Sequence, residues 1–154
     1  LFFTSRRPEA LDGELSGERI DALIDETLRL RPPAYAVTRR AIRDTEAGGW
    51  KIKAGDEIVI WIHHLHREGL TDPEAFLPER WLGGEAPEAY MPFGAGQRAC
   101  IGVHFARFEA RTILEELLAR WRFTPTDNAP VGLRTRITLA PSRPIKVRLH
   151  RALS

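Results

Sequence analysis

Two stretches of the chain repeat apolar positions at helical spacing. Elsewhere the pattern turns to alternation or breaks up among prolines and glycines. Val103, Ala106, Ala110, Ile113, Leu114, Leu117, Leu118 and Trp121 fall three and four apart. That stripe predicts a helix over residues 103–121, deeply packed on one side. Ile20, Leu23, Ile24, Thr27 and Leu28 make a shorter stripe and predict a helix over residues 17–31, with Pro32 and Pro33 as its break. Residues 37–42 and 50–61 are strand-like, with Gly48-Gly49 and Ala54-Gly55 as turns, and predict a small antiparallel sheet. Residues 71–96 hold Pro73, Pro78, Gly83, Gly84, Pro87 and Pro92 and predict a meander without regular structure. An ordered loop of that length usually serves a ligand or a function. Residues 133–139 and 145–149, around Pro141-Ser142-Arg143-Pro144, predict a terminal hairpin. Residues 1–5 read as the end of something apolar and residues 6–17 as polar loop, so the chain is expected to open mid-architecture.

Composition changes this picture little. With 154 residues, 43% hydrophobic and a net charge of +2, the chain is globular material of one domain's size, without repeats or low-complexity tracts. So small a charge excess gives no argument for nucleic acid, and no basic stripe interleaved with aromatics is present. No apolar run is long enough to span a membrane. A single cysteine excludes an internal disulfide and fits a reducing compartment; the start of the chain and the style of its glycine-rich loop give cytoplasmic as the expected localisation.

That cysteine carries the clearest chemistry. Cys100 sits in Phe93-Gly94-Ala95-Gly96-Gln97-Arg98-Ala99-Cys100-Ile101-Gly102, just ahead of the longer helix. Glycine at alternate positions lets the backbone pass close to a flat ligand. Amides at the start of the helix, its dipole and Arg98 favour thiolate over thiol. A thiolate so placed is a metal ligand or a nucleophile. A solitary cysteine is otherwise most often a small buried hydrophobe. Zinc would need partners at Cys-x-x-Cys or His spacing, which are absent. Gly94, Gly96 and Ala99 also satisfy a dinucleotide-binding fingerprint, but that motif must follow directly on a strand. The proline-broken polar stretch before it supplies none.

Two further groups stand out. Glu26 and Arg29, three apart, share a helix face. In isolation such a pair is usually exposed and worth a few tenths of a kcal/mol, that is, ~0.3. His63, His64 and His66 cluster locally, with 64 and 66 on one side of an extended segment and 63 on the other. No further ligand at suitable spacing supports metal binding there.

The run Phe-x-x-Gly-x-Arg-x-Cys-x-Gly over 93–102 resembles the heme-ligand loop of the cytochrome P-450 family at every fixed position. The order of the other signals is similar too: Glu26-x-x-Arg29, then Leu30-Arg31-Pro32-Pro33, then Phe76-Leu77-Pro78-Glu79-Arg80-Trp81, then the cysteine loop. The resemblance implies a mainly α fold with small antiparallel β-sheets, the C-terminal part of the cytochrome P-450 fold. It implies one incomplete domain over 1–154. Within it, 1–16 would be the end of a preceding helix and loop, 17–31 the Glu-x-x-Arg helix, 71–102 the meander and cysteine loop, and 103–121 the proximal helix. Residues 1–7 would be the last turn of the family's long central helix.

The implied cofactor is heme b, with Cys100 as axial thiolate and Phe93, Gly94 and Gly102 shaping its loop. Arg98 and Arg39, the latter with Arg40 as its neighbour, would face the heme propionates. Glu26, Arg29 and Arg80 would form a buried network fixing the segment that leads to the cysteine. His66-Arg67-Glu68 resembles the family's connection after a strand, a structural role with a possible propionate contact. Arg107 and Arg111, one turn apart, would lie toward the surface where an acidic electron-transfer protein docks.

The function implied is a monooxygenase acting on a small organic substrate. Its electrons would come from a ferredoxin or a flavodoxin-like reductase. The distal machinery belongs to a part of the family not matched here, supplied by a missing segment or a second chain, so this chain alone is not expected to be active. The competing class is a truncated, non-catalytic module that binds heme or a partner.

Overall fold

In the computed structural model, residues 16–83, 86–127 and 129–152 are described. The expectations for residues 1–7, and for all but the last of 1–16, lie outside them. Helix α1 is Gly17–Leu30. It starts there because Ser16 caps it, its hydroxyl accepting from the Arg19 amide at 3.3 Å. It stops where Pro32 and Pro33 follow. Strands β1 (Val37–Arg40), β2 (Thr45–Ala47), β3 (Trp50–Ile52) and β4 (Glu57–Ile60) come next, then a single turn of helix, α2 (Ile62–Leu65).

The expected single sheet divides in two. β1 pairs with β4, Val37 opposite Ile60, while β2 pairs only with β3. The division follows from the turn: Gly48 and Gly49 have φ of 58° and 81°, which lets a two-residue hairpin close on itself. The histidine segment is also not extended. His63 and His64 lie in the helical turn α2, so the alternation expected of the three rings does not apply.

The described residues of 71–96 are irregular except for a 3₁₀ turn, Pro78–Trp81, opened by its proline. A second short 3₁₀ turn, Gly96–Arg98, lies inside the cysteine loop. Helix α3, Val103–Arg120, follows the loop and ends one residue short of the expected Trp121, which is already extended. That residue begins β5 (Trp121–Pro125), and β6 (Leu133–Thr135), β7 (Leu139–Pro141) and β8 (Val147–Arg151) follow among the described residues. The terminal hairpin pairs differently from the expectation. β6 turns back on β7, and β8 pairs with β5, Phe123 opposite Leu149. The strand leaving α3 carries the buried Phe123 and takes the last strand as its partner.

The core is formed by Leu23 and Leu30 of α1, Phe76 of the meander, Leu118 of α3 and Phe123 of β5, with Leu114, Leu117, Trp121 and Val147 packed around them. Burying a side chain of this size contributes ~1.5–3 kcal/mol. The core gathers α1, the meander at Phe76 and the helix that follows the cysteine loop, which holds the meander against both helices. The stripe of α3 is not deeply packed as expected. Of its residues only Leu118 is fully buried and Ile113 is half exposed, while Phe105 and Phe108, off the stripe, project outward. The described residues pack only the C-terminal end of that stripe.

Candidate functional site

The site has a buried charged centre and an exposed thiol loop. Glu26 and Arg29 are both 0% exposed and Arg80 is 6% exposed, so the pair is not a surface ion pair. Arg29 grips the carboxylate with both arms, Nε to Oε2 and Nη2 to Oε1, each 2.8 Å. The Leu77 amide donates to Oε1 at 2.8 Å and the Trp81 indole to Oε2 at 3.0 Å. Arg80 Nε lies 3.7 Å from Oε1. Both guanidinium groups then reach for backbone. Arg29 donates to the carbonyls of Pro73 at 2.7 Å and Ala75 at 2.9 Å. Arg80 donates to those of Thr71 at 2.5 Å and Asp72 at 2.8 Å. Asp72 has φ of 49°, a left-handed turn that aspartate tolerates better than most residues. One carboxylate on α1 therefore determines the path of residues 71–81. Removing it would strand two buried cations.

His66 is a further fixed point. Its ring is fully buried, with Nδ1 at 3.3 Å from the Arg29 carbonyl and Nε2 accepting from the Met91 amide at 3.0 Å. A carbonyl cannot donate, so Nδ1 carries the proton and the ring is neutral. Burial holds its pKa down at about 4. Both nitrogens are used within the chain, so the expected propionate contact is replaced by a link from the end of α1 to the start of the cysteine loop. Arg67 extends the same link, donating to the carbonyls of Leu30 at 3.0 Å and His63 at 2.8 Å and pairing with Glu74. That pairing holds the Glu74 carboxyl below its usual range. Among the described residues no group of histidine, cysteine and carboxylate side chains could hold a metal ion.

The thiol loop is tied by its backbone. The Gly94 amide donates to Met91 at 3.0 Å, Ala99 to Gly96 at 3.0 Å and Cys100 to Phe93 at 2.9 Å. Gly94 and Gly96 have φ of 73° and 67°, and a Cβ at Gly96 would meet nothing within 4 Å. The backbone there faces open space that a flat ligand can approach. Cys100 is exposed, Gly102 abuts its sulfur, and Ile101 beside it is wholly exposed. No strand feeds the glycines, which removes the dinucleotide-binding alternative. Arg98 lies exposed within the loop. Arg39 is exposed on β1, donating to its neighbour Thr38 at 2.9 Å, while Arg40 donates to Gly55 at 3.1 Å. No described contact joins Arg39 to the cysteine loop.

Comparison with known proteins places this arrangement. The cytochrome P450 family model matches residues 19–149. The chain belongs to the cytochrome P450 family. Cytochrome P450 4V2 of Mus musculus is 37% identical over 158 residues, covering 98% of this chain and 30% of that protein. Thromboxane-A synthase of Sus scrofa is 35% identical over 138 residues, covering 84% of this chain and 26% of the relative. Among solved structures, the cytochrome P450 CYP102L1 superposes with a TM-score of 0.82 at 28% identity, over 99% of this chain and 41% of that one. The heme domain of cytochrome P450DA gives 0.82 at 25% identity, over 99% and 39%. The chain thus spans about 30% of the length of these curated P450 relatives, and its fold is a partial P450 fold of helices and small antiparallel sheets. No helix among the described residues is long and apolar enough to cross a membrane.

Two residues of the site, Asp25 and Tyr90, were not legible as functional. Asp25, next to Glu26 but on another face of α1, accepts from the Tyr90 hydroxyl at 2.8 Å and from both terminal nitrogens of Arg107. Tyr90 packs on Trp81, ring centroids 4.5 Å apart, and on His66 at 5.0 Å. Burial and the adjacent carboxylate raise the phenol's pKa. For Arg107, burial alone would lower the pKa, but the hydrogen bonds to Asp25 outweigh it and the net shift is upward. Arg111 pairs with Asp21 at 3.0 Å and with Glu115 at 2.9 Å. The two arginines expected to face an electron-transfer partner are therefore engaged with carboxylates of this chain.

Proposed function

We propose that this chain is the heme-ligating part of a heme-thiolate monooxygenase, with Cys100 as the axial ligand of heme b. The observation that carries the reading is an exposed cysteine sulfur on a loop of two left-handed glycines, at the foot of α3. A soft thiolate donor suits iron, and the open backbone at Gly96 leaves room for a flat macrocycle. Membership of the P450 family and the likeness to the heme domain of cytochrome P450DA support the same assignment. When bound, thiolate-ligated heme supplies reductive activation of dioxygen, with one oxygen atom going to an organic substrate.

The chain's own residues have distinct parts. Cys100 presents the sulfur, and Phe93, Gly94 and Gly102 shape the loop that holds it. Arg98 offers a guanidinium to a propionate carboxylate, with Arg39 as the second candidate. Glu26, Arg29 and Arg80 fix the meander, so the loop enters from one direction. Electrons would come from a ferredoxin or flavodoxin-like protein, and the residues covering the distal face from outside this chain.

The test is the absorption spectrum of the intact protein loaded with hemin and reduced under carbon monoxide, with Cys100→Ala as control. A red-shifted Soret band that disappears in the variant is expected. A band indifferent to the substitution, or no heme uptake, would sink the assignment.

A further inference from the structure

Helices α1 and α3 are joined by two charged rungs. Asp21 and Asp25 stand four apart on α1, and Arg111 and Arg107 four apart on α3, paired in antiparallel order. The rungs have different surroundings. Arg111 and Asp21 are each 41% exposed at the side chain, and Arg111 also binds Glu115. At the other rung the Asp25 side chain is 15% exposed and that of Arg107 is 35% exposed. Asp25 also takes the Tyr90 hydroxyl, and the Arg107 guanidinium lies over the Phe93 ring, 5.9 Å from its centroid. Tyr90 and Phe93 bracket the entry to the cysteine loop. Between them the Met91 amide is held by His66, and Phe93 accepts the Cys100 amide through its carbonyl. The inner rung thus touches both ends of the segment that aims the sulfur, whereas the outer rung has no described contact with it.

We infer that Asp25 and Arg107, with Tyr90, are positioning residues for the cysteine loop: the inner rung clamps Tyr90 and Phe93 and so sets the direction of Cys100. The outer rung only braces the helices. Partial burial and the three hydrogen bonds that the Asp25 carboxylate accepts favour a larger effect there than at an exposed pair, whose contribution is small and screened by salt. The inference rests on the reading of Cys100 as a ligand only for its consequence; the clamp itself concerns this chain's own contacts.

The test is amide hydrogen exchange on the intact protein as purified, following residues 91–102 and α1 separately, in Arg107→Leu, Arg107→Lys and Arg111→Leu. Expected are loop amides exchanging roughly tenfold faster in Arg107→Leu with α1 unchanged, an intermediate rate in Arg107→Lys, which keeps the charge, and no change in Arg111→Leu. Equal loop protection in Arg107→Leu and the parent would overturn the inference. So would loosening shared equally by α1, or an equal effect of Arg111→Leu. In the hemin-loaded protein, Arg107→Leu should also lower the fraction of cysteinate-type ferrous–carbonyl band. If the parent lacks that band the heme reading fails, yet the exchange result still decides the clamp. Cys100→Ala should remove the band while leaving loop exchange as in the parent.

Discussion

Replacing Glu26 with glutamine removes one charge from the buried centre and almost no volume. The carboxylate accepts four N–H groups, two from Arg29, one from Leu77 and one from Trp81, two at each oxygen. An amide has one oxygen, so two of these donors would face an NH₂ group. A buried donor left without an acceptor costs ~1–3 kcal/mol, giving ~2–6 kcal/mol for the two. Breaking a buried ion pair from one side costs ~3–5 kcal/mol, and the two routes agree near ~4 kcal/mol. A domain typically has only ~5–15 kcal/mol of stability in total, so Glu26→Gln should bring the protein close to unfolding. Urea denaturation followed by tryptophan fluorescence would report this directly, since Trp81 donates to the altered group. A loss below ~1 kcal/mol, the scale of an exposed pair, would refute the reasoning and mean that water reaches these cations in the folded state.

Other outcomes follow from single contacts. His66 titrates at about 4 in the fold against 6.5 when free, so the unfolded state binds more protons between those values. The ring's contribution, ~3 kcal/mol, is therefore fully present above about pH 6.5 and lost as the pH falls toward about 4. His66→Phe should flatten that part of a stability–pH curve from urea titrations while lowering its plateau. At Gly94 a Cβ would have ordinary contacts, the nearest atom being the Arg98 carbonyl at 3.8 Å, so the penalty for Gly94→Ala is conformational, ~1–2 kcal/mol. Gly94→Asn should recover part of it in thermal unfolding, because asparagine visits the left-handed region more readily.

Much of the site could be read in the sequence because its parts lie in short runs. Residues 93–102 hold the thiol and its glycines within one loop, and the Glu26 and Arg29 side chains share one helix face. Arg80 was reachable through the order of motifs. Asp25 and Tyr90 were not, because each looks like an ordinary surface residue until α1 and α3 approach, and Arg107 was expected to face a partner rather than Asp25. The one hint was the matching fourfold spacing of Asp21 with Asp25 and of Arg107 with Arg111. The histidine segment was expected to be structural rather than metal-binding, and His66 is used for two hydrogen bonds across the chain. Strand pairing was misread where partners are distant: nothing local tells 147–151 to join 121–125. The stripe of α3 predicts burial but cannot say what provides it. The described residues cover only its Leu118 end, which leaves Ile113 of the stripe half exposed.

The two buried guanidinium groups grip residues 71–75 by carbonyl oxygens, which every amino acid carries. Asp72 with its left-handed turn apart, the identities of the side chains there matter little to the grip, while their number matters a great deal. Thr71 or Ala75 should therefore accept many replacements. Inserting or deleting one residue between Thr71 and Leu77 would carry the acceptors past their donors and misdirect everything downstream, the sulfur of Cys100 included. The meander works as a spacer of fixed length, and its tolerance should be tested by changing its count rather than its composition.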